Sequence, residues 1–204
     1  MISAILLAAG ESKRMGKPKL LLAWGECTII EKSVDTLLAS KINELIVVLG
    51  YQARAVSRRL GVRRLKAVIN RHYRMGMSIS IQRGLGQVSP TSDAVLIALA
   101  DQPFIETDLI NHLIDIYRRN PHGIVLPSYE GKRGHPVILN RFRYQEEMET
   151  LTGDMGCKPI LNRHPEDILE VEVESEGVVA DIDSWDEYRT AHINGRGFQG
   201  NDTK

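Results

Sequence analysis

The sequence has few of the features that mark secreted, zinc-bound or membrane-spanning proteins. Its 204 residues include two cysteines, Cys27 and Cys157, without a C-x-x-C pair or a histidine at zinc-finger spacing. We therefore expect neither a disulfide framework nor a structural zinc site. No apolar run reaches the roughly 18 residues of a membrane span, and no positive segment precedes the apolar start, as it would in a signal peptide. These absences predict a cytoplasmic protein of one domain.

Net charge and several familiar motifs are also absent. The 26 Lys and Arg residues equal the 26 Asp and Glu residues in number, whereas a protein that binds nucleic acid is normally basic. The G-x-S-x-G motif of serine hydrolases and the H-E-x-x-H motif of zinc proteases are missing, and the loop after the first apolar run is not the G-x-G-x-x-G of dinucleotide-binding folds. We therefore expect no nucleic acid partner, no membrane contact and a monomer, and neither a serine triad nor a zinc protease site.

What the sequence does contain is an alternation of apolar runs and amphipathic segments. Continuous apolar runs are typical of strands buried on both faces of a parallel sheet, and they occur at 2–7, 44–49, 93–99 and, more briefly, 66–69. Apolar spacing predicts helices after Thr28, where Glu31 completes a capping box, and at 52–60, 78–85 and 107–118. Beyond residue 127 shorter elements are predicted: strands at 135–139 and 168–173, and helices at 141–151, 158–163 and 185–193. The alternation predicts an α/β fold with an open, mostly parallel sheet.

The loop after the first strand has the composition of a phosphate-binding loop. It reads LAAGESKRMGKPK, and in an open parallel sheet ligands bind beyond the carboxyl ends of the strands. Backbone N–H groups near Gly10 can cradle phosphate oxygens, and Arg14 and Lys19 can neutralise them. The spacing of its glycines and the proline after Lys17 exclude a Walker A loop.

Carboxylates follow two other predicted elements. Asp101 ends a buried strand, where it can ligate a cation or, alternatively, form a turn or cap a helix. Asp181 and Asp183 lie on one face if their segment is extended, and either can complete a metal site with Asp101. The alternative is that this pair caps the helix near residue 185, in competition with Ser184.

Small polar residues and one histidine complete the set of candidates. Asn70 ends a strand and Ser78 opens a helix, so both can approach a base or ribose, although capping explains Ser78 equally well. Gly134, His135 and Pro136 form a G-H-P-V segment in which the histidine can contact a substrate or handle a proton, or be merely exposed.

Six blocks of this sequence resemble, in the same order, those of the MobA-like nucleotidyltransferases. They read LAAGESKRMGKPKLLL, NRHYRMGMSISIQRGL, LADQPF, GHPVIL, LTGDMGCKPIL and DIDSWDEY, and the resemblance covers about residues 2–192. The first block is specific for the superfamily, and G-H-P-V with G-D-M-G is specific for its molybdenum cofactor cytidylyltransferase branch. Within that family, LAAG in place of LAGG goes with cytidine rather than guanosine.

The resemblance implies a three-layer Rossmann-like nucleotidyltransferase fold. A single MobA-like domain would span residues 1–193, followed by a disordered tail at 194–204. The implied reaction transfers CMP from CTP to the phosphate of a molybdopterin-type cofactor, depends on Mg²⁺ and releases pyrophosphate. The product would serve the maturation of a molybdenum hydroxylase.

The resemblance also implies roles for particular residues. Asp101 and Asp183 would ligate the metal, and Arg14, Lys19 and Asp101 would be catalytic. The substrate-binding residues would be Gly134, His135 and Pro136. The nucleotide would be bound by Leu7, Ala8, Ala9, Gly10, Arg14, Lys19, Asn70, Ser78 and Asp101.

The chain departs from the family's usual blocks at three places. It reads G-D-M-G-C-K where the family commonly has G-D-x-G-A-R, D-I-D-S-W-D-E in place of D-I-D-T-P-E-D, and A-D-Q-P in place of G-D-M-P or G-D-Q-P. Other functions on the same scaffold remain open: transfer to a sugar phosphate, delivery of molybdenum cofactor to a hydroxylase as a chaperone, and oxidoreduction with a nicotinamide cofactor.

Overall fold

The computed structural model of the chain describes residues 1–193. The strands are β1 (Ile2–Ala8), β2 (Ala23–Trp24), β3 (Cys27–Thr28), β4 (Glu44–Leu49), β5 (Lys66–Ile69), β6 (Ala94–Leu99), β7 (Ile124–Tyr129), β8 (Lys132–Arg133), β9 (Val137–Asn140) and β10 (Ile168–Glu172). The helices are α1 (Ile29–Leu38), α2 (Ala53–Leu60), α3 (Met77–Leu85), α4 (Thr107–Arg119), α5 (Arg141–Glu149), α6 (Lys158–Arg163) and α7 (Trp185–Ile193). The structure confirms the predicted α/β class.

The strands form a mostly parallel central sheet. Its order is β10-β7-β9-β6-β1-β4-β5, with β8 paired to β7, while β2 and β3 form a separate hairpin. All of the strands in this order run the same way except β9, which is antiparallel to both β6 and β7. β1 pairs in parallel with both β4 and β6, so it lies in the interior of the sheet with a strand on each side. The loops that follow β1, β5 and β6 therefore meet at one edge.

The sheet is covered on both faces, which makes the fold three-layered. Every residue of β1 is buried, and its side chains alternate between two hydrophobic clusters. Leu6 packs in one with Val34 of α1, and Ile5 packs in the other with Ile81 of α3. Each such side chain contributes roughly 1.5–3 kcal/mol when it leaves water. The continuous apolar run of β1 thus follows from burial on both faces.

Several predicted boundaries needed correction. The strand expected at 135–139 begins at Val137, because Pro136 has no N–H to donate to a ladder. The helix expected at 141–151 ends at Glu149. β7 was not predicted; it contains Pro127, and its ladder to β9 stops at Val125, before the proline. Residues 194–204, predicted to be a disordered tail, lie outside the described residues.

Two further predictions about local structure are confirmed. The capping box at the start of α1 is present, with the Thr28 backbone N–H donating to the Glu31 carboxylate at 2.9 Å. Cys27 and Cys157 are free cysteines. Over residues 1–193 we find no helix with the length and apolar character required to cross a membrane.

Candidate active site

The loops at the carboxyl edge of the sheet enclose a cavity of about 580 Å³, within the size range of small-molecule sites. It is lined by the end of β1 and the loop after it, by residues 73–76 before α3, by residues 153–154, and by Asp101 and Asp183. Its lining includes the predicted residues Leu7, Ala8, Gly10, Arg14, Lys19, Asp101 and Asp183. A smaller space of about 260 Å³ adjoins it and is lined in part by Ala9, Met77 and Ser80. The structure thus brings the predicted loop and both predicted metal ligands to one cavity.

The centre of the site is an ammonium group held between two carboxylates. Lys19 Nζ donates to Asp101 Oδ2 at 2.6 Å and to Asp183 Oδ1 at 2.6 Å, and the second oxygen of Asp183 accepts from Arg14 at 2.8 Å. Lys19 is buried, with 7% of its surface exposed. Burial alone would lower the pKa of Lys19, but attraction and hydrogen bonds from the two carboxylates outweigh it and raise that pKa. Burial acts to raise the pKa of Asp183, but Lys19 and Arg14 hold it below its usual value.

Local structure leaves these carboxylates free for the site. Ser184 caps α7 because its hydroxyl accepts from the Glu187 backbone N–H at 3.2 Å. In return, the Ser184 backbone N–H donates to the Glu187 carboxylate at 2.7 Å. Asp183 is therefore not the cap. Glu106 precedes α4 as its N-cap residue, so Asp101 caps no helix either. Helix capping is therefore excluded for both aspartates, whereas Asp101 does lie in the turn that follows β6.

Asp181 lies apart from this cluster. Its Oδ1 accepts from Gln102 Nε2 at 2.7 Å, and it lines the smaller space rather than the main cavity. Burial, reinforced by the charge of Asp101, raises the pKa of Asp181. Of the two acids at 181 and 183, the structure places Asp183 on the same cation as Asp101.

The segment that carries Asp183 also fixes the first loop. The backbone N–H of Ile182 donates to the Asp101 carbonyl at 3.0 Å. Trp185 Nε1 donates to the carbonyl of Met15 in the first loop at 3.0 Å, and the Trp185 ring lies 5.8 Å from Lys17 Nζ. The hydrogen bond from Trp185 to Met15 sets the position of the basic loop relative to the carboxylates.

Two predicted nucleotide-binding residues lie behind the wall rather than on it. Asn70 is fully buried, and its amide donates to Ser80 Oγ at 3.0 Å while its carbonyl accepts from the His72 N–H at 2.9 Å. Ser78 is also fully buried, and neither Asn70 nor Ser78 is among the residues that line the two spaces. Asn70 ties the end of β5 to α3 and so shapes the wall. A direct contact with nucleotide stays a prediction for both.

The predicted substrate-binding segment also packs outside the main cavity. The His135 backbone N–H donates to the Val178 carbonyl at 2.9 Å. A Cβ on Gly134 would come within 2.4 Å of the same carbonyl oxygen, so only glycine fits there. Pro136 lines a small apolar space beside α1 and α4. The role of these residues in binding substrate stays a prediction.

We predict that His135 makes the protein less stable in mild acid. Burial lowers the pKa of His135 to about 4, although Asp101 opposes the shift. The unfolded chain therefore binds a proton below about pH 6.5 that the folded chain does not accept until about pH 4. The free energy of unfolding should fall across this window, by up to about 1.4 kcal/mol per pH unit.

Urea unfolding at several pH values measures this slope. His135→Gln should flatten it between pH 6.5 and 4, and His112→Gln, a substitution at an exposed histidine, should leave it unchanged. An unaltered slope in His135→Gln would contradict the assignment.

Sequence reasoning missed part of the cavity wall as candidate site residues. Arg74 Nε donates to Glu11 Oε1 at 2.8 Å across the mouth, joining the loop before α3 to the first loop. Asp154 Oδ1 accepts from the Met77 N–H at 2.9 Å and so holds the start of α3. The position of residues 73–76 after β5, at the same sheet edge as the first loop, was the available signal.

The donor set fits a divalent cation. Two carboxylates already converge on one positive atom, and Mg²⁺ is usually held by one or two carboxylates together with substrate phosphates. In residues 1–193 we find no cluster of three or more His, Cys, Asp and Glu side chains able to hold a metal. Phosphate oxygens and water would therefore have to complete the coordination.

The basic loop and Asp101 follow neighbouring strands and face the same cavity. This arrangement is typical of a nucleotide-binding enzyme of the nucleotidyltransferase class. The chain belongs to the family of the MobA-like NTP transferase domain, which matches residues 4–168.

Two relatives similar to this chain are named for different activities. The nicotine blue oxidoreductase of Paenarthrobacter nicotinovorans is 29% identical over 191 residues, covering 90% of this chain and 92% of the relative. The molybdenum cofactor cytidylyltransferase of Escherichia coli K12 is 26% identical over 192 residues, covering 93% and 95%. The family is thus shared by relatives named for transfer and for oxidoreduction.

Solved structures of a similar protein have the same fold as this chain. Rv0371c of Mycobacterium tuberculosis H37Rv superposes with a TM-score of 0.82 at 29% identity, covering 93% of this chain and 96% of its own. A second structure of that protein is a complex with manganese, with a TM-score of 0.78, 27% identity and the same coverage. The fold of this chain is therefore that of Rossmann-like nucleotidyltransferases.

Proposed function

We propose that the protein transfers CMP from CTP to the terminal phosphate of a molybdopterin-type cofactor, in a reaction that depends on Mg²⁺ or a similar divalent cation. The main support for this proposal is that Asp101 and Asp183 converge on one cation position beside a basic loop. The six sequence blocks and the E. coli relative support the choice of CTP and of the acceptor. The product would be used in the maturation of a molybdenum hydroxylase.

The reaction needs positioning more than covalent chemistry. An oxygen of the acceptor phosphate attacks the α-phosphorus of CTP, and the bond from that phosphorus to the β-phosphate bridging oxygen breaks, releasing pyrophosphate. A divalent cation bound at the acid pair would neutralise charge on the α-phosphate. Arg14 and Lys19 would hold the β- and γ-phosphates and stabilise the leaving pyrophosphate. Asp101 and Asp183 would orient the phosphates by fixing that cation.

The site offers no strong base and needs none. A phosphate nucleophile is already ionised near neutral pH. His135 lies near Asp101, but its low pKa of about 4 keeps it neutral. Burial raises the pKa of Cys157 to about 12, so this thiol is not a nucleophile at neutral pH. Direct in-line transfer therefore agrees with the side chains present.

Oxidoreduction with a nicotinamide cofactor is the second candidate, because of the similarity to nicotine blue oxidoreductase. A hydride transfer has no evident use for two carboxylates that share one cation. Transfer of a nucleotide uses both of them, together with Lys19. The acid pair therefore favours the transferase proposal over the oxidoreductase.

Ligand-dependent thermal unfolding separates the two candidates. We expect CTP with Mg²⁺ to raise the melting temperature more than GTP with Mg²⁺ does. A ligand at 100 times its Kd stabilises the folded protein by about 2.7 kcal/mol, and at equal concentration the ligand with the lower Kd stabilises more. We expect NADPH to have no effect. Pyrophosphate release in the presence of molybdopterin then tests the transfer. Equal effects of CTP and GTP would reject the cytidine preference, and stabilisation by NADPH alone would favour the oxidoreductase.

A further inference from the structure

The ammonium group of Lys19 lies where the proposed function requires a divalent cation. We propose that Lys19 occupies the cation position of the free enzyme and leaves it only when metal and triphosphate bind together. The lysine then excludes free metal ions and couples metal binding to nucleotide binding. This inference rests on the proposed function, because it assumes that Asp101 and Asp183 are the metal ligands.

The bonds of the free enzyme leave little room for a metal. Both oxygens of Asp183 are engaged, one by Lys19 at 2.6 Å and the other by Arg14 at 2.8 Å. Asp101 Oδ2 accepts from the same ammonium at 2.6 Å. A cation that ligates both carboxylates must therefore displace Lys19 from at least one of them, because two cations cannot share this position without strong repulsion.

A free metal ion gives the displaced lysine no new partner. Lys19 is buried, so its charge depends on the two carboxylates for compensation. Of the two other acids on the cavity wall, Glu11 is already bonded to Arg74 at 2.8 Å and lies 3.2 Å from Lys13, and Asp154 accepts from the Met77 N–H at 2.9 Å. A metal ion arriving alone would leave Lys19 unpaired and close to Arg14. Binding of free metal is therefore opposed by the cost of an uncompensated cation.

A triphosphate supplies the missing partners. Lys19 lines the main cavity together with Ser12, Lys13 and Arg14. Lysine carries its charge on a flexible four-carbon stem, so its ammonium can turn from the carboxylates towards phosphate oxygens in that cavity. Arg14 can make the same exchange from Asp183. Metal and nucleotide then each remove the obstacle to the other, which is reciprocal coupling between two ligands.

Binding of Mn²⁺, followed by the loss of its free electron paramagnetic resonance signal, tests this exchange. The comparison uses the full chain as wild type, Lys19→Met and Lys17→Met. Lys17 is the matched control, because it is an exposed lysine of the same loop that does not line the main cavity. Without nucleotide, Lys19→Met should bind Mn²⁺ about 10-fold more tightly than wild type, and Lys17→Met should bind like wild type. With the non-transferable analogue α,β-methylene-CTP, Mn²⁺ affinity should rise about 10-fold in wild type and less than about 3-fold in Lys19→Met.

Thermal unfolding keeps the test decisive if Lys19→Met is poorly stable. Mn²⁺ alone should then raise the melting temperature of Lys19→Met more than that of wild type, because the ion takes the position that the lysine has left. Two outcomes overturn the proposal in different ways. If Mn²⁺ binds wild type with the analogue but binds Lys19→Met no better alone, the exchange is wrong and the transferase proposal stands. If Mn²⁺ binds no variant even with the analogue, the metal-dependent transfer itself is wrong, and the exchange with it.

Discussion

Asp101→Asn should reduce the turnover of CMP transfer by roughly 10²–10³-fold, the range seen when one electrostatic contact to a transition state is removed. The amide has the shape of the carboxylate but neither its charge nor its affinity for a divalent cation. Asp101 lies two residues after the end of β6, and its position beside Lys19 and Asp183 is fixed by the backbone bonds from Ala100 to Leu7 and from Ile182 to Asp101. The geometry should therefore survive while the electrostatic contribution is lost.

The same substitution should have a modest effect on folding. Lys19 keeps its bond to Asp183, so the loss is that of one charge-assisted hydrogen bond, about 1.5–3 kcal/mol. Pyrophosphate release and urea unfolding measure the two effects. Asp108→Asn is the matched control, because Asp108 is exposed in the first turn of α4. Full activity of Asp101→Asn would refute the metal assignment.

Gly76→Ala should cost about 3 kcal/mol of stability and weaken nucleotide binding. Gly76 has a φ of +109°, in a region that an L-residue adopts only under strain, and a Cβ there would lie 2.4 Å from the Gly153 carbonyl oxygen. Backbone strain and overpacking each contribute roughly 1–3 kcal/mol. Because residues 76 and 153 both line the main cavity, the shift that relieves the clash must also deform its wall.

Gly131→Ala separates the two contributions. Gly131 also has a positive φ, +73°, but open space surrounds the position of its Cβ. Urea unfolding should therefore show a loss of about 1 kcal/mol in Gly131→Ala against about 3 kcal/mol in Gly76→Ala. Equal losses in the two variants would mean that the contact between residues 76 and 153 does not constrain the fold.

The elements that sequence analysis predicted correctly are those whose burial leaves a simple pattern. Apart from Ser3 and Glu44, β1, β4 and β6 are apolar because helices cover both faces of the sheet. The rule that ligands bind at the carboxyl edge then indicated the loop after β1 and Asp101. Structure places both at one cavity, together with Asp183 from a segment more than eighty residues further along the chain.

Other features depend on tertiary contacts that no local pattern records. β7 was not predicted, and it tolerates Pro127 because the ladder to β9 ends before the proline. Asn70 follows a strand at the expected edge, yet its amide faces inward to Ser80. The position of Asn70 at the end of a strand was predicted correctly, but the direction of its side chain was not. The direction of a ladder or of a side chain was set by neighbours distant in sequence.

The contacts of the acid pair span nearly the whole chain. Lys19 is separated from Asp101 by 82 residues and from Asp183 by 164, and Arg14 from Asp183 by 169. Closing such loops is entropically costly, so contacts of this kind form late in folding. The last strand of the sheet ends at Glu172, whereas the acid pair is complete only after the later segment that carries Asp183 has docked. A chain in which that segment has not docked lacks the second carboxylate, so we expect the ability to bind metal and nucleotide to mark the completed fold.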